Sequence, residues 1–312
     1  MSQQDAFPIF VGSGRSGTTL LRTIFDAHPD LAVAHEPQFI GTVARKERML
    51  TAGGFQVGRF LDTIYKNPNY RRMGLERSAV QAAMAAQPPE TLSDAVRAVF
   101  VLWAAAQDKP RYGDKTPGYI IQIPELARLF PEARFVNVIR DGRNVALSYI
   151  ERPWGPSTLA EGALYWRSRV SRGRSAGLAL GPSRYTEVRY EDLVADTETE
   201  VRRICEFLDL TWQPAMLRYH ENADEFVASS HEPEAFRNVA RPPTTGTRDW
   251  SEAMTDRDIA IFEAIAGDLL RDLGYETRGT HPTLGARFRA TIERGKWAAK
   301  RGKTILPARL RR

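Results

Sequence analysis

One cysteine, Cys205, stands in a chain of 312 residues, so no disulfide can form within it and a fold stapled for an oxidising compartment is excluded. Its neighbours Val201, Ile204 and Leu208 recur at helical spacing, which makes Cys205 a core residue of an amphipathic helix. No stretch of about 18 uninterrupted apolar residues occurs, and the opening MSQQDAFPIFVG lacks both a basic start and a long apolar segment. Neither a membrane span nor a secretory signal is expected, and a reducing, cytoplasmic home is. Repeats and low-complexity blocks are also missing. Acidic residues thin out only at the end: from Arg287 onward ten Lys and Arg face one acid, so the residues before it carry −3 of the chain's formal +6. The body of the protein is therefore not basic, and a specific nucleic-acid partner loses its main support. With 42% hydrophobic residues, what remains is an ordinary globular chain long enough for a sizeable core.

The apolar run Phe7 to Val11 stops at Gly12-Ser-Gly14, and Leu20, Leu21, Ile24 and Phe25 then follow helical spacing from Thr18. This reads as strand, glycine loop, helix. Residues 38–108 are helical in character, with breaks near Gly53-Gly54, Pro68 and Pro88-Pro89, and are expected to cap a site. A helix over Gly118 to Leu129 leads to Arg134-Phe-Val-Asn-Val-Ile139, whose length and β-branched residues suit a buried parallel strand. A helix from Asn144, a strand over Arg184 to Arg189 and a helix over Thr197 to Leu208 follow. Alternation of strands and helices implies a three-layer α/β/α domain on a mostly parallel sheet, over residues 1–280, with a basic tail over 281–312. Ligands of such sheets sit at the carboxyl ends of the strands.

The loop Gly12-Ser-Gly14-Arg15-Ser16-Gly17-Thr18-Thr19 has the makings of an anion cradle. Glycines let backbone N–H groups converge, and the helix start adds partial positive charge. It matches the nucleotide-binding pattern G-x-x-x-x-G-K-[ST] except that Thr18 stands where the lysine belongs. The loop's one cation is Arg15, whose planar guanidinium suits a shorter anion held without metal.

Arg15-Ser-Gly-Thr-Thr-Leu20 after an apolar strand resembles the 5′-phosphosulfate loop of sulfotransferases that use 3′-phosphoadenosine-5′-phosphosulfate (PAPS), in the branch of the tyrosylprotein sulfotransferases and many bacterial enzymes. The resemblance implies the P-loop-like sulfotransferase fold, with Gly14, Arg15, Ser16, Gly17, Thr18 and Thr19 on the donor. Ile139-Arg140-Asp141-Gly142-Arg143-Asn-Val-Ala-Leu-Ser148 resembles the family's segment for the 3′-phosphate, which implies Arg140 and Ser148 as ligands; Asp141 is better explained as a helix-start residue. Val188-Arg189-Tyr190-Glu191-Asp192-Leu193 is similar to the strand-end segment whose tyrosine lies near the adenine, and Gly246-Thr-Arg248-Asp249-Trp250 to the late element that closes over the nucleotide. These imply Tyr190 and Arg248 as further cofactor contacts, with Arg241 an alternative to Arg248.

Sulfuryl transfer needs a base for the acceptor hydroxyl and cations for the sulfonate oxygens. Glu36 follows the strand-like Leu31-Ala-Val33, a route that returns it to the carboxyl edge of the sheet. The family resemblance, carried by His28-Pro29 and the glutamate after it, implies Glu36 as general base. His35 is the rival, because its intrinsic pKa suits proton transfer. Gly113-Asp114-Lys115-Thr116-Pro117 is similar to segments that supply a lysine to the transferring group. Arg15 and Lys115 are thereby expected to hold its charge. The acceptor is open: small molecule, glycan, lipid-linked group or peptide. Phe288, Ile292 and Trp297 among basic residues of the tail allow a peripheral membrane contact. Two alternatives stand beside sulfuryl transfer: a P-loop nucleotide kinase or hydrolase, and a non-catalytic nucleotide-binding protein.

Overall fold

Apolar residues on alternate faces of four short runs build the sheet that the chain is organised around. A computed structural model describes residues 5–45, 49–222, 237–243, 249–279 and 283–305. They fall into two compact units, one drawn from 5–12, 17–138 and 173–243, the other from 13–16, 139–172 and 249–305.

In the first unit, β1 (Phe7–Gly12) is followed by α1 (Thr18–Asp26) and β2 (Leu31–His35). Then come α2 (Ile40–Ala44), a small hairpin of β3 (Leu50–Thr51) and β4 (Gly54–Phe55), α3 (Val57–Ile64), α4 (Pro68–Arg71), α5 (Arg77–Ala86) and α6 (Leu92–Ala105). Strand β5 (Arg111–Lys115), a 3₁₀ turn over Pro117–Ile121, α7 (Ile123–Leu129) and β6 (Ala133–Ile139) lead on to the second unit. Its elements are α8 (Gly142–Ile150) and most of α9 (Leu159–Leu178). The chain returns to the first unit for β7 (Tyr185–Arg189), α10 (Tyr190–Ala195) and α11 (Thr197–Phe207), and ends in the second with α12 (Trp250–Ala253), α13 (Asp256–Asp272) and α14 (Leu284–Ile305).

The sheet order is β2-β5-β1-β6-β7, and the β2–β5, β5–β1 and β1–β6 ladders are parallel. Phe7, Ile9 and Val11 of β1 face a core that includes Phe39, Phe60, Val99, Phe100, Ile120 and Phe130. Phe10, Val136, Val138 and Val188 face another, filled by Leu21, Ile24 and Phe25 of α1 and by Val201, Ile204 and Cys205 of α11. Helices thus cover both faces of the sheet, the three layers expected. Cys205 is buried, as its spacing implied, and burial raises its thiol pKa to about 12.

One strand was not foreseen, and one expected helix needs correction. Arg111–Lys115 is a strand, inserted between β2 and β1, although its Arg-Tyr-Gly-Asp-Lys composition gives no apolar signal. The helix expected over 118–129 is broken: a 3₁₀ turn runs to Ile121, Gln122 adopts φ −117°, and α7 starts afresh with Pro124 in its first turn. Proline lacks the N–H that would continue the earlier turn.

The second unit packs around Trp166, Val145, Phe262, Ile265 and Leu270. Arg143, almost wholly buried, ties it together: its guanidinium donates to Asp141, to Glu263 (3.0 Å) and to the Glu276 carbonyl (2.7 Å), and lies 3.5 Å from the centre of the Trp250 ring. Asp141 caps α8 by accepting from the Arg143 N–H at 2.9 Å, the helix-start role its position suggested.

Candidate active site

Because β2, β5, β1 and β6 run parallel, their carboxyl ends share one edge of the sheet, and the chain leaves that edge at His35, Lys115, Gly12 and Ile139. Lys115 is one of these points, Glu36 and the glycine loop follow two others, and Arg140 follows the fourth.

In the first unit, the β2–β5 register pairs His35 with Lys115, and the Glu36 N–H extends the ladder to the Lys115 carbonyl at 2.8 Å. The Glu36 side chain turns back so that Oε1 accepts from Lys115 Nζ at 2.7 Å. Lys115 Nζ also donates to Thr19 Oγ1 at 3.2 Å, at the start of α1. Lys115 is fully buried whereas the Glu36 side chain is 29% exposed. Burial pushes the lysine's pKa below its usual value, and the Glu36 carboxylate opposes that shift. A cation stripped of water and held charged by one carboxylate suits developing negative charge, since it needs no reorganisation to act.

Asp114, the preceding residue, points to the opposite face of the sheet and is fully buried. Burial raises its pKa to about 7, against the pull of Thr116 and Lys115.

The backbone at this edge is strained where function is expected. Arg15 (φ 68°), Glu36 (φ 50°) and Gln38 (φ 51°) are three of the five described non-glycine residues in the left-handed region, which costs L-residues on the order of 1–3 kcal/mol each. Such strain persists where surrounding contacts over-determine the conformation, and it gathers at active sites. Gly17 (φ 94°) is the N-cap of α1, and a Cβ there would also overlap the Tyr190 ring.

The middle of the glycine loop, residues 13–16, belongs to the second unit. There Arg15 Nε donates to Ser148 Oγ at 3.0 Å. A side chain at Gly14 would overlap the Tyr149 hydroxyl. Ser13 and Ser16 are fully buried, and their hydroxyls have no hydrogen-bond partner among the described residues. Orphaned buried hydroxyls in a glycine loop are donors without an acceptor, which fits an anion as their ligand. Arg140 follows β6, its carbonyl accepting from Trp166 Nε1 at 3.2 Å. Ser148, placed by sequence with Arg140, is thus joined by a side-chain bond to Arg15. Of the remaining expected contacts, Arg248 lies outside the described residues, and the described Arg241 is exposed.

Two residues near these clusters went unmarked in the sequence. Tyr149 is buried against the loop, and its only signal is adjacency to Ser148. Gln38 donates from Nε2 to Glu36 Oε2 at 3.4 Å and borders an open cavity of about 490 Å³ within the first unit. Among the cavity's other lining residues are Thr42, Arg45, Lys66, Asn67 and Thr116, and no carboxylate of the described residues lines it.

A family model described as "Sulfotransferase family" matches residues 8–214, a span that runs from β1 through the loop, Glu36, Lys115, Arg140 and Ser148 to Tyr190. The chain belongs to the sulfotransferase family. It is 28% identical over 288 residues to protein-tyrosine sulfotransferase 2 of Gallus gallus, covering 89% of this chain and 71% of the relative. Two solved structures share the fold. One is a sulfotransferase domain from the curacin biosynthetic pathway (TM-score 0.62, 18% identity, 88% of this chain and all of that one). The other is a sulfotransferase domain from the Synechococcus PCC 7002 olefin synthase (TM-score 0.60, 21% identity, 88% of this chain and 98% of that one). As a sulfotransferase the protein is an enzyme, and neither a nucleotide kinase nor a passive nucleotide-binding scaffold is favoured.

Proposed function

We propose that this sulfotransferase moves the sulfuryl group of PAPS to a hydroxyl of a polar acceptor, with Glu36 as base and Lys115 and Arg15 as charge-stabilising groups. The observation that carries the reading is the fully buried Lys115 ammonium, bonded to the partly exposed Glu36 and to Thr19 at the head of the glycine loop's helix. No structural need explains a fully buried ammonium at a strand end, whereas a reaction that builds negative charge does.

PAPS supplies an activated sulfur whose bond to a phosphate oxygen breaks as the acceptor oxygen attacks, releasing 3′-phosphoadenosine 5′-phosphate (PAP). Glu36 takes the hydroxyl proton, which leaves the attacking oxygen its electron pair. Its partly exposed carboxylate lets the acceptor reach it, while Lys115 fixes one of its oxygens and leaves the other toward Gln38. Lys115 and Arg15 offset charge on the sulfonate and on the departing phosphate oxygen, with Thr18 and Thr19 as further donors. The N–H groups of Gly14 to Thr19 and the Ser13 and Ser16 hydroxyls receive the 5′-phosphate. Arg140 and Ser148 receive the 3′-phosphate, and Tyr190, packed on Gly17, offers its ring to the adenine.

The cavity beside Gln38 and Thr116 suits the acceptor. Its carboxamides and hydroxyls, with Arg45 and Lys66 and no carboxylate among the described lining residues, favour a hydroxyl-rich or acidic molecule over an apolar one. Incubation with PAPS labelled in its sulfur, together with fractionated extract, reads the activity directly. Label moves into a hydroxyl-bearing acceptor with the wild type and falls about 10²- to 10⁴-fold in kcat with Glu36→Gln. Unchanged transfer by that variant removes Glu36 from the base role, and the same outcome with His35→Ala inactive gives the role to His35.

A further inference from the structure

The C-terminal helix carries a surface that sulfuryl transfer does not use. One side of α14 is seated on the second unit: Ala286 and Ala290 are buried, and Arg294 donates to the Ala264 and Ile265 carbonyls of α13 at 3.1 and 3.3 Å. Trp297 meets the Tyr165 ring edge-on. The opposite side presents Leu284, Phe288 and Ile292, which are 83%, 70% and 39% exposed. Their four-residue spacing places them in one row along the helix. Single exposed apolar residues are ordinary, but a row of three large ones is not.

Charge borders that row on both sides. At about 100° per residue, Arg287 falls on one flank and Arg289 and Lys296 on the other. All three are exposed. Glu293, the one acid of this stretch, is turned toward the seated side and paired with Lys296 at 2.8 Å. Among the described residues no helix is long and apolar enough to cross a membrane. An apolar stripe flanked by cations matches a surface with anionic headgroups above an acyl interior.

We infer that α14 docks the protein on an anionic lipid bilayer, with Leu284, Phe288 and Ile292 inserted at the headgroup boundary and Arg287, Arg289 and Lys296 on lipid phosphates. The helix lies along the surface and does not span it. This surface is independent of the residues assigned to sulfuryl transfer, so it stands or falls separately from that chemistry.

The test is co-sedimentation of the full chain with phosphatidylcholine vesicles, with and without phosphatidylserine, at about 0.1 M salt. Binding is expected only to the phosphatidylserine vesicles, weakening as salt is raised. The triple variant Leu284→Ser, Phe288→Ser, Ile292→Ser keeps every charge and should lower partitioning at least ~10-fold. Arg289→Glu with Lys296→Glu keeps the stripe and should lower it comparably. All these side chains face solvent, so the melting temperatures should stay at the wild-type value, which separates lost docking from lost folding. Equal sedimentation of wild type and triple variant overturns the inference. So does a wild type that ignores vesicles and forms dimers the triple variant cannot form, because the stripe is then a contact between copies of the chain.

Discussion

Replacing Lys115 by methionine separates a catalytic lysine from a structural one. The ammonium is fully buried, 2.7 Å from Glu36 and 3.2 Å from Thr19. Methionine has a stem of similar length and removes only the charge and the donors. The losses are a charge-assisted hydrogen bond to Glu36, about 1.5–3 kcal/mol, and a bond to the Thr19 hydroxyl of about the same order or less. The gain is relief from a desolvated charge, which costs several kcal/mol after relaxation. Glu36 is not stranded by the change, because its side chain is 29% exposed and can rehydrate. These effects nearly cancel, so stability should move by no more than ~1 kcal/mol, or about 2–4 °C in melting temperature. Activity should not survive. Loss of one preorganised donor to developing charge costs about 10²- to 10³-fold in kcat, equivalent to ~3–4 kcal/mol. Thermal melts and labelled-sulfate transfer, run on the same preparation, read both quantities. Transfer within about threefold of wild type, well short of the loss of one such donor, refutes the role. A melting temperature lowered by more than about 8 °C alongside the lost activity makes Lys115 a structural residue instead.

Three further outcomes follow from other contacts. Ser148→Ala removes the acceptor of Arg15 Nε and should weaken PAP binding about 3- to 10-fold in titration calorimetry; unchanged affinity separates that hydroxyl from the nucleotide. Gly14→Ala drives a methyl group into the Tyr149 hydroxyl, and the next atom of that ring, Cζ, is 3.3 Å away. The single variant should lose ~1–3 kcal/mol in denaturant titration, and adding Tyr149→Phe should recover part of it; a double variant no better than the single one denies the contact. Asp114 has a pKa raised from 3.8 to about 7 in the fold, so its protonated form contributes stability below the unfolded value that is lost as pH rises through about 7. Asp114→Asn stays neutral throughout. Its melting temperature, compared with wild type from about pH 5 to 8, should rise relative to the native chain as pH increases; parallel curves contradict the raised pKa.

Most of the sheet was legible because its strands are buried on both faces and therefore read as apolar runs. Phe7 to Val11 and Arg134 to Ile139 are of that kind. β5 was hidden because Asp114 and Lys115 occupy interior positions that pattern reading reserves for apolar residues, and a Cβ added at Gly113 would meet the Pro8 carbonyl oxygen at 3.1 Å. The glycine loop was legible from composition, since a side chain is strained at the φ of Gly17 and one at Gly14 would overlap the Tyr149 hydroxyl. The left-handed backbone at Arg15 and Glu36 left no trace, because ordinary residues held there by neighbouring contacts carry no compositional mark. Likewise the second arginine of Arg140-Asp-Gly-Arg143 gave no sign of its use as a brace among Asp141, Glu263 and Trp250, which depends on residues more than a hundred positions away.

Titration calorimetry of PAP in excess EDTA, with wild type and Arg140→Ala side by side, tests the donor assignment most directly. The account predicts that the wild type binds PAP without metal, and that Arg140→Ala loses at least ~10-fold for PAP while binding adenosine 5′-phosphosulfate, which has no 3′-phosphate, as the wild type does. A wild type that takes ATP with magnesium in preference to PAP, or an Arg140→Ala chain that binds PAP at full strength, contradicts it.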